Sequence, residues 1–421
     1  MIHSPSFLEI VSLILFVLAI LHTFSTKYFE KLSLKYKNHS DLFHLLGEIE
    51  IVFGLWALVA ILCLLAISGK IETIKYLNSR NYTEPLFVFV IMIISSTKPI
   101  LNLSLNTIQK ISQLIPIHST ISLYATTLFL TPFLGSIITE PAAMTLAALM
   151  LKNQFFENNI SKNLKYATLG VLFVNVSIGG CLTNFAAPPV LMVASKWNWS
   201  SSFMWTQFGW KALLAVAVNS FFMTYFFRKE LKKIIQKDFS LSKHKIPFSI
   251  LGIHLFFLFL VIFFSHYPVI FIGIFLFFLG FTHAYSKYQS TLLLRESLLV
   301  AFFLAGIVTL GGFQQWWLSS ILLNTNHKII FYASLLLTTV TDNAAITYLA
   351  SLVDGLDFRF KYALMSGALS GGGLTIIANA PNPAGIAILK NHFENNTVDP
   401  IRLFIAALLP TIVASVFFIF L

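Results

Sequence analysis

Long apolar runs recur along the whole chain, each closed by a short polar stretch. They lie near 7–24, 42–68, 85–108, 119–151, 165–195, 203–227, 247–265, 268–286, 297–323, 329–353, 361–390 and 398–421. A helix needs about 20 consecutive apolar residues to cross a bilayer, and most of these runs supply them. Runs such as IVFGLWALVAILCLLAI (Ile51 to Ile67) do not alternate polar with apolar. Strands of a membrane barrel alternate over about ten residues, so a barrel is excluded. The pattern predicts an all-α polytopic membrane protein with about 10–12 membrane segments.

Three runs are irregular. Segment 119–151 has 33 residues. That is too long for one span of about 20 and too short for two of about 40. It predicts a re-entrant hairpin, two half-length limbs that enter and leave from one side. Segment 165–195 contains VSIGGCLTNFAAPPVL (Val176 to Leu191), and segment 361–390 contains SGGGLTIIANAPNPAGI (Ser370 to Ile386). Paired glycines and prolines there predict helices that break in mid-membrane.

The irregular runs also resemble one another. TEPAAMT (Thr139 to Thr145) matches TDNAAIT (Thr341 to Thr347), and each is followed by a Gly-x-Leu-Thr stretch and then Ala-Pro. Two matches in the same order indicate an internal duplication. The layout that follows has N-terminal helices over 1–108 and the core of a first repeat over 119–227, with hairpin 119–151 and broken helix 165–195. A basic loop over 228–246 leads to a second repeat over 247–421, with hairpin 329–353 and broken helix 361–390.

Paired halves with interrupted helices in corresponding places point to a secondary transporter. A break in hydrocarbon frees backbone N–H and C=O groups, each costly to leave unpaired. Such a break persists where it lines a polar cavity or touches a ligand. Thr139, Thr183, Asn184, Thr341, Asn343, Thr375, Asn379 and Asn382 lie at these places and can supply oxygen ligands.

Each duplicated stretch keeps one acid, Glu140 and Asp342. Read locally, Glu140 before a proline is a helix-start acid and Asp342 is an N-cap. Membrane depth changes that reading, because a carboxylate there costs roughly 2.5 kcal/mol or more unless paired or hydrated. An acid that takes a proton or a cation, but not both, couples the two by competition. Lys98, within 85–108, either snorkels to the interface or pairs with Glu140 or Glu48. Glu48 is the acid singled out near the start of the second span, with His44 one turn earlier; Glu50, two positions on, reads as the more structural of the two. Asn175 and Ser177 precede the first break. His254, His266 and His283 read as bundle-facing or interfacial, and Trp197, Trp199, Trp205, Trp316 and Trp317 as interface anchors.

Composition sharpens this picture. Of 421 residues 57% are hydrophobic and 11% charged, with mean hydropathy +0.80. A soluble domain carries about 25% charged residues. The net charge of +11 suggests a nucleic-acid partner only until its distribution is seen. The basic residues collect in short loops, densest in Arg228 to Lys245 and next in Lys27 to Lys37, the pattern of cytoplasmic loops. No nucleic-acid partner is expected, and the lipid bilayer is. A cytoplasmic Lys27 to Lys37 loop puts the N-terminus on the other side. The run Phe7 to Phe24 lacks a basic leader and a cleavage site, so it reads as a retained helix. Two cysteines, Cys63 and Cys181, imply neither a disulfide framework nor a thiolate metal site. No catalytic Ser/His set, GxSxG motif or acid-rich metal site is present, so an enzyme is not expected.

A Thr/Asn/acid hairpin followed by a broken Gly-x-Leu-Thr…Ala-Pro helix, each occurring twice, resembles the ion transporter superfamily. That group includes arsenite efflux pumps, sodium/proton antiporters and dicarboxylate carriers. Within it, the chain most resembles the bacterial family named putative sodium/proton antiporters. The resemblance implies two inverted repeats, assembly as a homodimer, and residence in the bacterial inner membrane. It also implies a first site with Thr139, Glu140, Thr183 and Asn184, and a second with Thr341, Asp342, Asn343, Thr375 and Asn379. Acids stand here where dicarboxylate carriers have Ser-Asn-Thr tips, which disfavours an anionic substrate. The expected function is Na+/H+ antiport by alternating access, with Na+ and H+ as cargo at those residues, no cofactor, and Lys98 and Glu48 as coupling residues. The alternative is a proton- or sodium-coupled carrier of an organic anion or metalloid oxyanion on the same scaffold.

Overall fold

The computed structural model describes residues 5–235, 241 and 245–421, and no strand occurs among them. Much of the basic loop Arg228 to Lys245 therefore lies outside the described residues. The N-terminal helices are α1 (Phe7–Phe24), α2 (Ile49–Asn78), α3 (Thr83–Ser95) and α4 (Lys98–Leu114). The first irregular region gives α5 (Ser119–Ile138), α6 (Glu140–Leu151), α7 (Lys162–Gly179) and α8 (Pro188–Trp197). Helices α9 (Trp210–Leu231), α10 (Phe248–Phe263), α11 (Pro268–Ala284), α12 (Leu294–Gly311) and α13 (Gln315–Leu322) follow. The second irregular region gives α14 (His327–Thr338), α15 (Asn343–Ser351), α16 (Phe358–Gly371) and α17 (Asn382–Leu389), and α18 (Pro400–Phe420) closes the chain.

Among the described residues seven helices are long and apolar enough to cross a membrane, and eight spans result if α3 and α4, bent by 65°, count as one. This is fewer than the ten to twelve apolar segments of the sequence. Part of the difference lies in α10 and α11, unbroken apolar helices of 16 and 17 residues that fall just short of a full span. The breaks cut the second irregular region into helices of 12, 9, 14 and 8 residues, none of which crosses about 30 Å of hydrocarbon alone at 1.5 Å per residue. The first hairpin also departs from two half-length limbs. Its α5 has 20 residues, long enough to cross, and only α6, with 12, is short.

Local chemistry explains how the interior tolerates its irregularities. Pro132 sits inside α5 and cannot donate to the carbonyl four residues earlier. That carbonyl, of Leu128, receives instead the Asn175 amide at 3.1 Å from α7. Asn175 is held in turn by Ser220 at 3.2 Å and by the Asn219 amide at 3.0 Å, both from α9. Small residues let helices approach. Gly367 and Gly371, one turn apart on α16, lie against the backbone of Phe331 and Leu335 on α14, so that a Cβ at Gly371 would stand 2.6 Å from the Leu335 oxygen. This is the close-packed small-residue seam of membrane helices.

The two irregular regions are packed into each other. Helix α5 lies on α7 and α14 lies on α16, while the short limb α6 meets α17 and the short limb α15 meets α8. Each short hairpin limb is thus held by the far half of the other region's broken helix.

Trp197 and Trp199 depart from interface anchoring. They are 9% and 5% exposed and sit in an aromatic cluster with Phe203 and Phe208. Trp205, at 47% exposed, does face outward. His254 is buried, with its ring held by the Ile250 carbonyl and Gln289. Cys63 and Cys181 are both free thiols.

Candidate functional site

The first break is a single residue. Thr139 joins α5 to α6 with φ +76° and ψ 150°, a region a β-branched residue rarely enters. Such a conformation costs on the order of 1–3 kcal/mol and persists where the surroundings impose it. Its hydroxyl lies 3.3 Å from that of Ser95, at the α3–α4 bend. The next residue, Glu140, begins α6 and is fully buried.

Glycine makes room for that carboxyl. A Cβ at Gly180, the start of the break after α7, would overlap the Glu140 carboxyl group. The break is stapled by α5: Ser136 donates to the Gly179 carbonyl at 2.8 Å and accepts from the Leu182 N–H at 3.0 Å. Thr183 donates to the Ser136 carbonyl at 2.8 Å.

The second break is longer. It runs from Thr339 to Asp342, and Asp342 caps α15 by accepting the Ala344 N–H at 2.7 Å. Backbone N–H groups of Ala345 and Ala380 face the same carboxylate. The local reading of Asp342 as an N-cap is therefore correct in geometry. It does not exhaust the residue, because Asp342 is 6% exposed at the edge of a small, mostly apolar cavity. The threonine of the second Gly-x-Leu-Thr repeats the first. Thr375 donates to the Thr339 carbonyl at 2.9 Å, at the end of the hairpin's first limb. In both halves the hydroxyl proton is thus spent on backbone, and the oxygen keeps a lone pair for a ligand.

The two breaks meet. The Asn379 amide, from the α16–α17 break, donates to Glu140 Oε2 at 2.9 Å. Glu140 is within electrostatic range of Asp342, and Asp342 of Glu50. Around this junction several buried acceptors have no hydrogen-bond partner: Glu140 Oε1, Asn343 Oδ1, Asn379 Oδ1 and Asn382 Oδ1. Asn343 is held only through its backbone, which donates to the Ala378 carbonyl at 3.1 Å. Its unpaired amide lies over Gly372, beside the Ser177 hydroxyl. Buried polar atoms are nearly always paired. A cluster of unpaired oxygens of carboxylate and amide type matches a small hard cation or a proton. Among the described residues no group of three or more His, Cys, Asp or Glu side chains converges.

Not every sequence-selected residue joins it. Asn184 turns toward the aromatic cluster, donating to the Trp199 carbonyl at 3.1 Å and accepting from Ser201 at 2.8 Å. Glu48 forms an ion pair with Arg295 in the first turn of α12 and lies 3.6 Å from His44. Lys98 is half-buried at the α3–α4 bend and bonds to neither Glu140, whose donor is Asn379, nor Glu48. Glu50 is the residue the sequence underrates. It enters a cavity shared with Thr341, Asp342 and Asn379. Glu48 precedes α2 as its N-cap and Glu50 lies within its first turn, so the two acids are told apart only by partners far along the chain.

No curated protein matches this chain. A family model does, over residues 7–421, which is essentially the whole sequence. The chain belongs to the family described as "Putative Na+/H+ antiporter".

Proposed function

We propose that the protein is a secondary active Na+/H+ antiporter in which Na+ and H+ compete for the buried acids at the two breaks, Glu140 and Asp342. The observation that carries this reading is the Asn379–Glu140 hydrogen bond at 2.9 Å. It ties the acid of one half to the broken helix of the other, beside oxygens that lack partners. A cation entering there gains ligands from both halves, and a proton on Glu140 removes the charge that holds it. Either cargo satisfies the site, and the unloaded carboxylates alone do not.

The crossed packing of hairpin limbs on broken helices supports an inverted-repeat architecture. In that architecture one half moves against the other and exposes a fixed central site to each side in turn. Asn343 and Asn379 serve as neutral ligands, Thr139 and Thr341 hold the hairpin turns, and Thr183 and Thr375 fix the broken helices. No Lys or Arg among the described residues bonds to Glu140 or Asp342, so the arrangement favours a cation over an anionic substrate.

The test is proton release from everted vesicles with an acid interior, followed with a pH-sensitive dye as Na+, Li+ or K+ is added. Wild type releases protons on addition of a cation. Glu140→Gln and Asp342→Asn lose this exchange while remaining monodisperse in detergent. Normal exchange by both single variants refutes the site. A response to an organic anion alone overturns the cargo.

A further inference from the structure

A small cavity lies beyond the Glu140–Asn379 contact, on the side of α1, α2 and α12. It is lined by Glu50 and Phe53 of α2, Val300 and Phe303 of α12, Thr341 and Asp342 of the second break, and Asn379 of the break between α16 and α17. Its volume is about 20 Å³, room for one water or one bare alkali cation. Two carboxylates on one cavity do not by themselves make a site. The independent sign is Asn379. That residue is 1% exposed and lines the cavity, and its Oδ1 has no hydrogen-bond partner. Its amide nitrogen is committed to Glu140, so Asn379 holds the two regions together with an acceptor left over.

We propose that Glu50, Asp342, Thr341 and the Asn379 carbonyl oxygen form a second cation-binding position, which takes a dehydrated monovalent cation before it reaches Glu140. The proposal rests on the antiporter reading and adds to it an acid from outside the two duplicated regions. Glu50 follows shortly after the basic stretch Lys27 to Lys37, which the positive-inside rule puts in the cytoplasm. The position is therefore the cytoplasmic-side entrance of the pathway. Two carboxylates and two neutral oxygens suit a hard cation, and the tight walls, Phe53, Val300 and Phe303, exclude its hydration shell. Glu48, one position before α2, is committed to Arg295 and plays no part in it.

The experiment compares wild type, Glu50→Gln, Glu50→Asp and Glu48→Gln in the everted-vesicle assay across a Na+ titration. Loss of a charged ligand that binds the ground state raises KM and spares the maximal rate. The expected result is an apparent Na+ KM raised on the order of tenfold or more in Glu50→Gln, with a smaller rise in Glu50→Asp and none in Glu48→Gln. A wild-type KM in Glu50→Gln overturns the second position while leaving the antiporter reading intact. Absence of cation-driven proton release in wild type defeats the antiporter reading itself, and the second position with it. If Glu50→Gln does not fold, Glu50→Asp decides: a raised KM supports the position and an unchanged one overturns it.

Discussion

Gly180 offers a sharp test of the space around Glu140. In Gly180→Ala the new methyl would overlap the Glu140 Oε1 and Cγ atoms and stand 2.7 Å from Cδ. The carboxyl cannot retreat freely, because Glu140 is fully buried and its backbone lies 3.6 Å from where a Cβ on Gly135 would be. It must rotate, and rotation breaks the 2.9 Å bond from Asn379. An off-rotamer side chain costs roughly 0.5–1.5 kcal/mol, and a hydrogen bond to a charged group contributes about 1.5–3 kcal/mol. The sum, about 2–4.5 kcal/mol, corresponds to a cation affinity weakened about 30- to 2000-fold. The assay is the Na+ dependence of proton release in everted vesicles, with thermal melting in detergent to verify folding. Gly252→Ala is the control, since a Cβ there meets nothing within 4 Å. A Gly180→Ala protein with wild-type KM and rate would show that Glu140 is not held where cargo binds.

Two further predictions concern stability. Asn175→Ala leaves the Leu128 carbonyl unpaired beneath Pro132 and costs about 1–3 kcal/mol, read as a lower melting temperature; adding Pro132→Ala restores the helical N–H and recovers part of the loss, so additive effects of the two changes would refute the pairing. Gly371→Val forces α16 off the Leu335 backbone of α14 and lowers melting by more than an alanine substitution at the exposed Gly273 or Gly280, where a Cβ meets open space.

The fold class and the breaks were legible in the sequence because the bilayer imposes them. Hydrocarbon selects long apolar runs, and only glycine, proline and polar residues interrupt them, so Glu140 and Asp342 announced themselves by standing inside such interruptions. The contacts of those acids were not legible. Asn379 is 239 residues from Glu140, and nothing in local periodicity says that the second broken helix lies on the first hairpin. The same limit governs Glu48 and Glu50. Both flank the start of α2, and their roles are set by Arg295 on one side and the Asp342 cavity on the other. Asn184 shared the composition of a ligand, but Trp199 and Ser201 claim its amide. Lys98 likewise stands at the α3–α4 bend without taking either acid as partner. The length of α5 escaped because a single backbone reversal at Thr139, without glycine, separates it from α6.

The distance along the chain between Glu140 and its donor also sets a schedule for synthesis. The ribosome adds about 5–20 residues per second, so the 239 residues from Glu140 to Asn379 occupy about 10–50 s. Throughout that interval the first hairpin is complete, yet its acid lacks the amide that will hold it. The nascent first half therefore has to wait with Glu140 protonated, hydrated or sheltered by the insertion machinery until the last broken helix arrives. The contact that holds Glu140 thus waits on the second half of the chain.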